Sequence, residues 1–153
     1  LASTSWPGRL ERREVAGRNV VLDGAHNPQA ARALAGTVRE LSGGADVLVV
    51  GVSGDKDAAG LLRELAGLAP NVVFTRAVNS PRSADPEELS RLWAQAGTPG
   101  ARAVRQAPSE ALELALELGG AGGSVVVAGS LFLVAEVRNL LEGEEGEPYQ
   151  RWQ

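Results

Sequence analysis

Three short runs, residues 46–50, 71–75 and 124–128, are apolar or β-branched at nearly every position. A strand with one wet face alternates, whereas a strand apolar throughout must be covered on both faces, as in a parallel sheet flanked by helices. The segments between these runs have the period of helices. Ala31, Leu34, Val38 and Leu41 are three and four residues apart, and so are Ala58, Leu61, Leu65 and Leu68. Such spacing puts them on one helical face. Further helices are expected with Leu89, Leu92, Trp93 and Ala96 inward, with Leu112, Ala115, Leu116 and Leu118 over 108–118, and with Leu133, Val134, Val137 and Leu140 over 131–141. A weaker strand falls near Arg102-Ala103-Val104. Residues 10–15 and 19–22 suit a hairpin through Ala16-Gly17-Arg18, which adds an antiparallel edge. Strand and helix alternate with short links, so the fold class is α/β: a doubly wound, mostly parallel sheet with an antiparallel edge strand. Residues 1–153 read as a single domain, and from Glu142 a loosely held acidic tail is expected, with Tyr149 and Trp152 able to dock.

One strand ends in chemistry. Val20-Val21-Leu22 runs into Asp23-Gly24-Ala25-His26-Asn27-Pro28, which gathers an acid, a glycine and the only histidine in one turn. Asn27 suits the N-cap and Pro28 the first helical position. Open α/β sheets bind ligands outside the carboxyl ends of their strands. There a carboxylate such as Asp23 can accept from two ribose hydroxyls, or simply brace the turn. His26 can meet a phosphate or carboxylate, move a proton, or serve only a structural hydrogen bond. Three more loops share that edge: 53–57 with Lys56, 79–83 with Arg82, and Gly129-Ser130. Lys56 is the only lysine beside 14 arginines. It suits a substrate carboxylate as a point charge, or a salt bridge to Asp55 or Asp57. Arg82 can fork onto a carboxylate or remain a surface arginine. Ser130, at a helix start, suits an anion and an N-cap alike. Arg9 precedes the sheet within reach of a phosphate.

Composition narrows the chemistry. The 153 residues include no cysteine, so disulfides, thiolate metal sites and cysteine nucleophiles are excluded. One histidine disfavours a zinc site. A net charge of −4 without a basic cluster gives no reason to expect nucleic acid. No apolar run approaches the roughly 20 residues that span a bilayer, and no signal peptide opens the chain, so neither a membrane nor secretion is expected. A cytoplasmic setting follows. No glycine-rich phosphate loop ending in Lys-Ser or Lys-Thr occurs. The chain also lacks methionine, which points to a trimmed product or an excised domain.

The motifs Pro7-Gly8-Arg9-Leu10-Glu11, Leu22-Asp23-Gly24-Ala25-His26-Asn27-Pro28, Gly54-Asp55-Lys56-Asp57, Ser80-Pro81-Arg82 and Gly129-Ser130-Leu131-Phe132-Leu133-Val134-Ala135-Glu136-Val137-Arg138 follow one another in that order. Together they resemble the C-terminal domain of folylpolyglutamate synthase/dihydrofolate synthase, in the Mur ligase superfamily, over about residues 7–141. The resemblance implies a Rossmann-like domain of a larger ATP-dependent ligase of folate biosynthesis and one-carbon metabolism. Such a ligase phosphorylates a pteroate or folate carboxylate, and the amino group of L-glutamate attacks the acyl phosphate. Partners would be ATP with Mg2+, L-glutamate, a folate or pteroate substrate, and an N-terminal ATPase domain of the same chain that carries the phosphate loop and the main metal ligands. The match implies nucleotide contacts at Arg9, Asp23, His26 and Asn27, with His26 also near the reacting groups. It implies glutamate contacts at Lys56, Ser130 and Arg82. Serine stands before Pro81 where related ligases often have asparagine, which sets Arg82 apart. The isolated domain is expected to be inactive. Another Mur-type amino-acid ligase domain and a stand-alone nucleotide-binding module are the alternatives.

Overall fold

The computed structural model describes residues 9–54 and 56–143. The hairpin forms as its sequence suggests. β1 (Glu11–Val15) and β2 (Arg18–Asp23) pair antiparallel, Val15 opposite Arg18. Ala16 and Gly17 make the turn with φ of 49° and 80°. Positive φ at both central residues matches the right-handed twist of the strands, and glycine at the second relieves half of the strain.

From β2 the chain winds regularly: α1 (Pro28–Ser42), β3 (Val47–Val50), α2 (Ala58–Leu65), β4 (Asn71–Phe74), α3 (Pro86–Gln95), β5 (Ala101–Val104), α4 (Pro108–Gly119), β6 (Ser124–Ala128) and α5 (Leu131–Glu142). The sheet order is β1-β2-β6-β3-β4-β5, and every pairing but β1 with β2 is parallel. β6, the last strand in chain order among the described residues, therefore lies between β2 and β3. Five strands point the same way, so all their carboxyl ends share one edge.

The continuous apolar runs are explained by burial on both faces. Leu48, Val50, Val72, Phe74, Val126 and Ala128 face one core with α1, α2 and α3. Their alternates, Val47, Val49, Val73, Val125 and Val127, face a second core with α4 and α5. This is the period of two of a strand, with both phases apolar. In the first core the rings of Phe74 and Trp93 meet edge-on, centroids 5.6 Å apart at 68°. Such a pair is worth about 0.5–1.5 kcal/mol beyond its burial.

Asn27 and Ser130 cap α1 and α5 as expected, and Asp85 caps α3. Asn27 accepts from the Ala30 N–H, Asp85 from Glu87 and Ser130 from Phe132 and Leu133. α1 stops at Gly43, whose φ of 74° lets its N–H return to the Arg39 carbonyl at 2.8 Å.

Some expectations need correction. Leu41 is 57% exposed and Leu118 is 44% exposed, since each sits past the edge of its buried stripe. Ala96 is exposed and follows α3 rather than belonging to it. Leu68 is buried but lies after α2, on the turn into β4. Glu142 is not part of a loose tail: it ends α5 and bonds Arg13 at 2.9 Å. That pair extends a cluster in which the nearly buried Glu11 meets Arg13 and Arg138, fastening the hairpin to α5. Tyr149, Trp152, Asp55 and the segment before Arg9 lie outside the described residues.

Candidate functional site

The turn after β2 is built around the Asp23 carboxylate. Oδ1 accepts the Ala25 N–H at 2.9 Å, which closes the turn on itself. Oδ2 accepts the Leu10 N–H at 3.0 Å, which draws the start of the hairpin onto the same turn. A carboxylate offers about four lone-pair positions, so capacity remains for a donor from a ligand. Burial raises the Asp23 pKa, outweighing the two N–H bonds and the Arg9 charge that lower it. Burial thus penalises the ionised form, and further hydroxyl donors would favour it.

His26 Nδ1 lies 2.9 Å from the Gly24 carbonyl oxygen. A carbonyl only accepts, so Nδ1 carries the hydrogen, and in the neutral ring Nε2 keeps its lone pair. The ring is half-buried. Asn27 is exposed, and its Oδ1 is taken up by the Ala30 N–H at 2.7 Å, so its first role is the cap.

Arg9, Asp23 and His26 line one cavity of about 370 Å³ together with Ala30, Ala33 and Leu131. That volume falls in the range of small-molecule sites. Small side chains on the first turns of α1 leave room for a flat or sugar-like group. A sugar diol suits Asp23, because its hydroxyls donate. A polyphosphate suits the exposed Arg9 guanidinium. A nucleoside triphosphate fits this donor and acceptor set. Among the described residues no three of histidine, aspartate and glutamate gather to hold a metal ion.

Lys56, Arg82 and Ser130 do not line that cavity; they stand on the neighbouring loops of the same edge. The loops after β3 and β4 are joined. The Ala84 N–H donates to the Val52 carbonyl at 2.8 Å, the Gly54 N–H donates to the Arg82 carbonyl, and Ser53 and Ser83 form an antiparallel bridge. Lys56 and Arg82, both exposed, are carried on these two loops. Asp57 serves as the N-cap of α2, accepting from Gly60 at 2.9 Å. Ser130 is 7% exposed, and its Oγ accepts from Phe132 at 3.1 Å and Leu133 at 3.2 Å. Its own O–H is still available to donate. The next residue, Leu131, reaches the cavity, so Ser130 stands between the two groups. The loops after β3 and β6 touch through glycine: a Cβ on Gly129 would lie 2.2 Å from the Gly51 carbonyl oxygen.

Sequence reasoning missed Glu136. From the second turn of α5 its two carboxylate oxygens accept the N–H groups of Val78 and Asn79, at 2.9 and 2.8 Å. The only sequence signal was its place within the Gly129–Arg138 motif, among the apolar residues of the first two turns of α5.

Residues 8–131 match the family described as Mur ligase, glutamate ligase domain. The chain is 39% identical over 140 residues to a Halobacterium salinarum protein described as a probable bifunctional folylpolyglutamate synthase/dihydropteroate synthase, covering 90% of this chain and 16% of that one. It superposes with a TM-score of 0.78 and 30% identity on the structure of Escherichia coli FolC in complex with DHPP and ADP, covering 92% of this chain and 32% of that chain. A bifunctional folylpolyglutamate synthase/dihydrofolate synthase from Yersinia pestis, complexed with AMPPNP and Mn ion, gives 0.78, 28%, 92% and 32%. The chain thus spans between about a sixth and a third of the length of these relatives.

Proposed function

The chain belongs to the Mur ligase family as its glutamate ligase domain, and from that premise we propose that it is the C-terminal domain of an ATP-dependent ligase that joins L-glutamate to dihydropteroate or folate. Its part in the reaction is to bind the nucleotide and the incoming amino acid. The remainder of the enzyme supplies the phosphate loop, the main Mg2+ ligands and most of the pterin contacts. The observation that carries the reading is the convergence of Arg9, Asp23 and His26 on one cavity at the carboxyl edge of the sheet.

In this reading Asp23 accepts from the ribose hydroxyls and Arg9 pairs with phosphate, as a guanidinium fork suits phosphate oxygens. Asn27 fixes the start of α1 beneath them. His26, its Nδ1 hydrogen committed to Gly24, offers the Nε2 lone pair to the glutamate amine as it sheds its proton, and the ring protonated at Nε2 can donate to a phosphate oxygen. Lys56, Ser130 and Arg82 hold the carboxylates of glutamate. The γ-phosphoryl group moves to the pteroate or folate carboxylate. The amine then forms the amide bond as phosphate leaves. Closure of this domain over the nucleotide would complete the site and exclude water from the acyl phosphate. Relatives bound to ADP, DHPP, AMPPNP and Mn ion support the substrate classes. Among the described residues no helix is long and apolar enough to cross a membrane, and a cytoplasmic enzyme is proposed.

The test compares the isolated 153-residue chain with the full-length enzyme. With ATP, dihydropteroate and L-glutamate, the isolated chain should release no phosphate above background, while the full-length enzyme turns over. In the full-length enzyme Asp23→Ala should raise the KM for ATP. Turnover by the isolated chain, or an ATP KM unmoved by Asp23→Ala, would refute the respective part of the reading.

A further inference from the structure

The loop between β4 and α3 is closed upon itself and fastened at both ends. Inside it the Ser83 hydroxyl donates to the Ala77 carbonyl at 2.9 Å, and the Arg76 guanidinium donates to the Ser83 carbonyl at 3.3 Å. Toward its carboxyl end it is joined to the Lys56 loop through Val52, Ser53 and Gly54. Near its amino end Glu136 reaches it, with one carboxylate oxygen on each of two successive N–H groups. Val78 itself is 62% exposed and contributes no buried side chain to hold the segment. Glu136 stands on α5, the helix whose N-cap is Ser130.

We propose that Glu136 is a positioning residue for the amino-acid subsite: it fixes the loop bearing Arg82, and through it the loop bearing Lys56, relative to Ser130. This rests on the reading that those three residues bind glutamate. The connection runs unbroken from Ser130 along α5 to Glu136, across to Val78 and Asn79, through the closed loop to Arg82, and over the Gly54 N–H to the Lys56 loop. A carboxylate suits the task because each of the two successive N–H groups meets its own acceptor oxygen, and charge strengthens both bonds. Glutamine presents one acceptor and turns an NH2 donor toward the other N–H. Small misplacement of substrate-holding groups is costly, since catalysis depends on orientation. Glu136 does not line the nucleotide cavity, so the consequence should fall on the amino acid.

The experiment uses the full-length enzyme. Glu136→Gln should raise the KM for L-glutamate about tenfold and leave the KM for ATP within about twofold. Hydrogen exchange followed by mass spectrometry should show faster exchange in residues 76–84 and unchanged exchange in β2 and α1. Lys56→Ala, Arg82→Ala and Ser130→Ala run alongside. If these raise the KM for glutamate and Glu136→Gln does not, the positioning role is overturned while the proposed function stands. If none of the three alters that KM, the glutamate-site reading itself fails. Unchanged exchange in 76–84, or an equal rise in both KM values, also overturns the positioning role. The first would show that the loop does not depend on Glu136, the second that the damage is general.

Discussion

Replacing Asp23 by asparagine removes the charge of the half-buried carboxylate and nearly preserves its shape. The carboxylate holds two backbone donors. Ala25 is 5% exposed and needs a protein acceptor, whereas Leu10 is 36% exposed and its N–H can turn to water. The single amide oxygen of asparagine would therefore stay with Ala25. Losing a charge-assisted bond costs about 1.5–3 kcal/mol when nothing replaces it. Water at Leu10 reduces that, and removing a desolvated charge offsets more. The net change in stability at neutral pH should lie within about 1 kcal/mol. The pH dependence is the sharper signature. Burial raises the Asp23 pKa above its ordinary 3.8, so the folded chain binds this proton more tightly than the unfolded chain. Its contribution is then fully present below 3.8 and is lost as pH rises through the raised folded value. The amide of the variant carries no such proton. The stability of the wild type minus that of Asp23→Asn should fall as pH climbs from the acid side toward neutrality and then level off. Urea denaturation of both chains across that range measures it, and each unit of pKa difference appears as about 1.4 kcal/mol of fall. If the wild type instead gained on the variant with rising pH, the N–H bonds and Arg9 would outweigh burial, and the reasoning would be wrong.

Two further predictions concern the sheet edge. Gly129→Ala places a Cβ against the Gly51 carbonyl at a residue whose φ is 110°. Strain and overlap together should cost about 3 kcal/mol or more, seen as a lowered urea midpoint. Thr75 is fully buried, and its hydroxyl has no hydrogen-bond partner among the described residues. Thr75→Val keeps the volume and removes the unpaired group, so it should stabilise the chain by about 1 kcal/mol, measured as a rise in Tm.

Much of this fold could be read from local chemistry. The strands at 46–50, 71–75 and 124–128 announce themselves by apolar content on both phases. The caps at Asn27, Asp85 and Ser130 follow from side chains that bond N–H groups two or three residues on. The convergence of four loops follows from parallel strands alone. The rest depends on distant partners. Leu41 and Leu118 keep helical spacing, but only the neighbouring layer decides where a buried stripe ends. Nothing within Asp23-Gly24-Ala25 shows that Leu10 will share the carboxylate, and nothing near Glu136 shows that a loop 57 residues away in sequence will settle on it. Such contacts arise from tertiary packing, which carries no local period.

The place of β6 has a consequence for how the chain acquires its structure. β2 and β3 have no contact as strands until residues 124–128 enter between them. During synthesis the earlier segments present two partial sheets, each with an open edge of Val-rich backbone. Such edges recruit other strands and invite aggregation. The closing step joins residues about a hundred apart in sequence, so the loop-closure cost falls late and the fold should form cooperatively rather than piece by piece. A chain interrupted before Ser124 would lose more than about the last fifth of its 153 residues: it would have no shared core across which the nucleotide turn and the amino-acid loops could be set against each other.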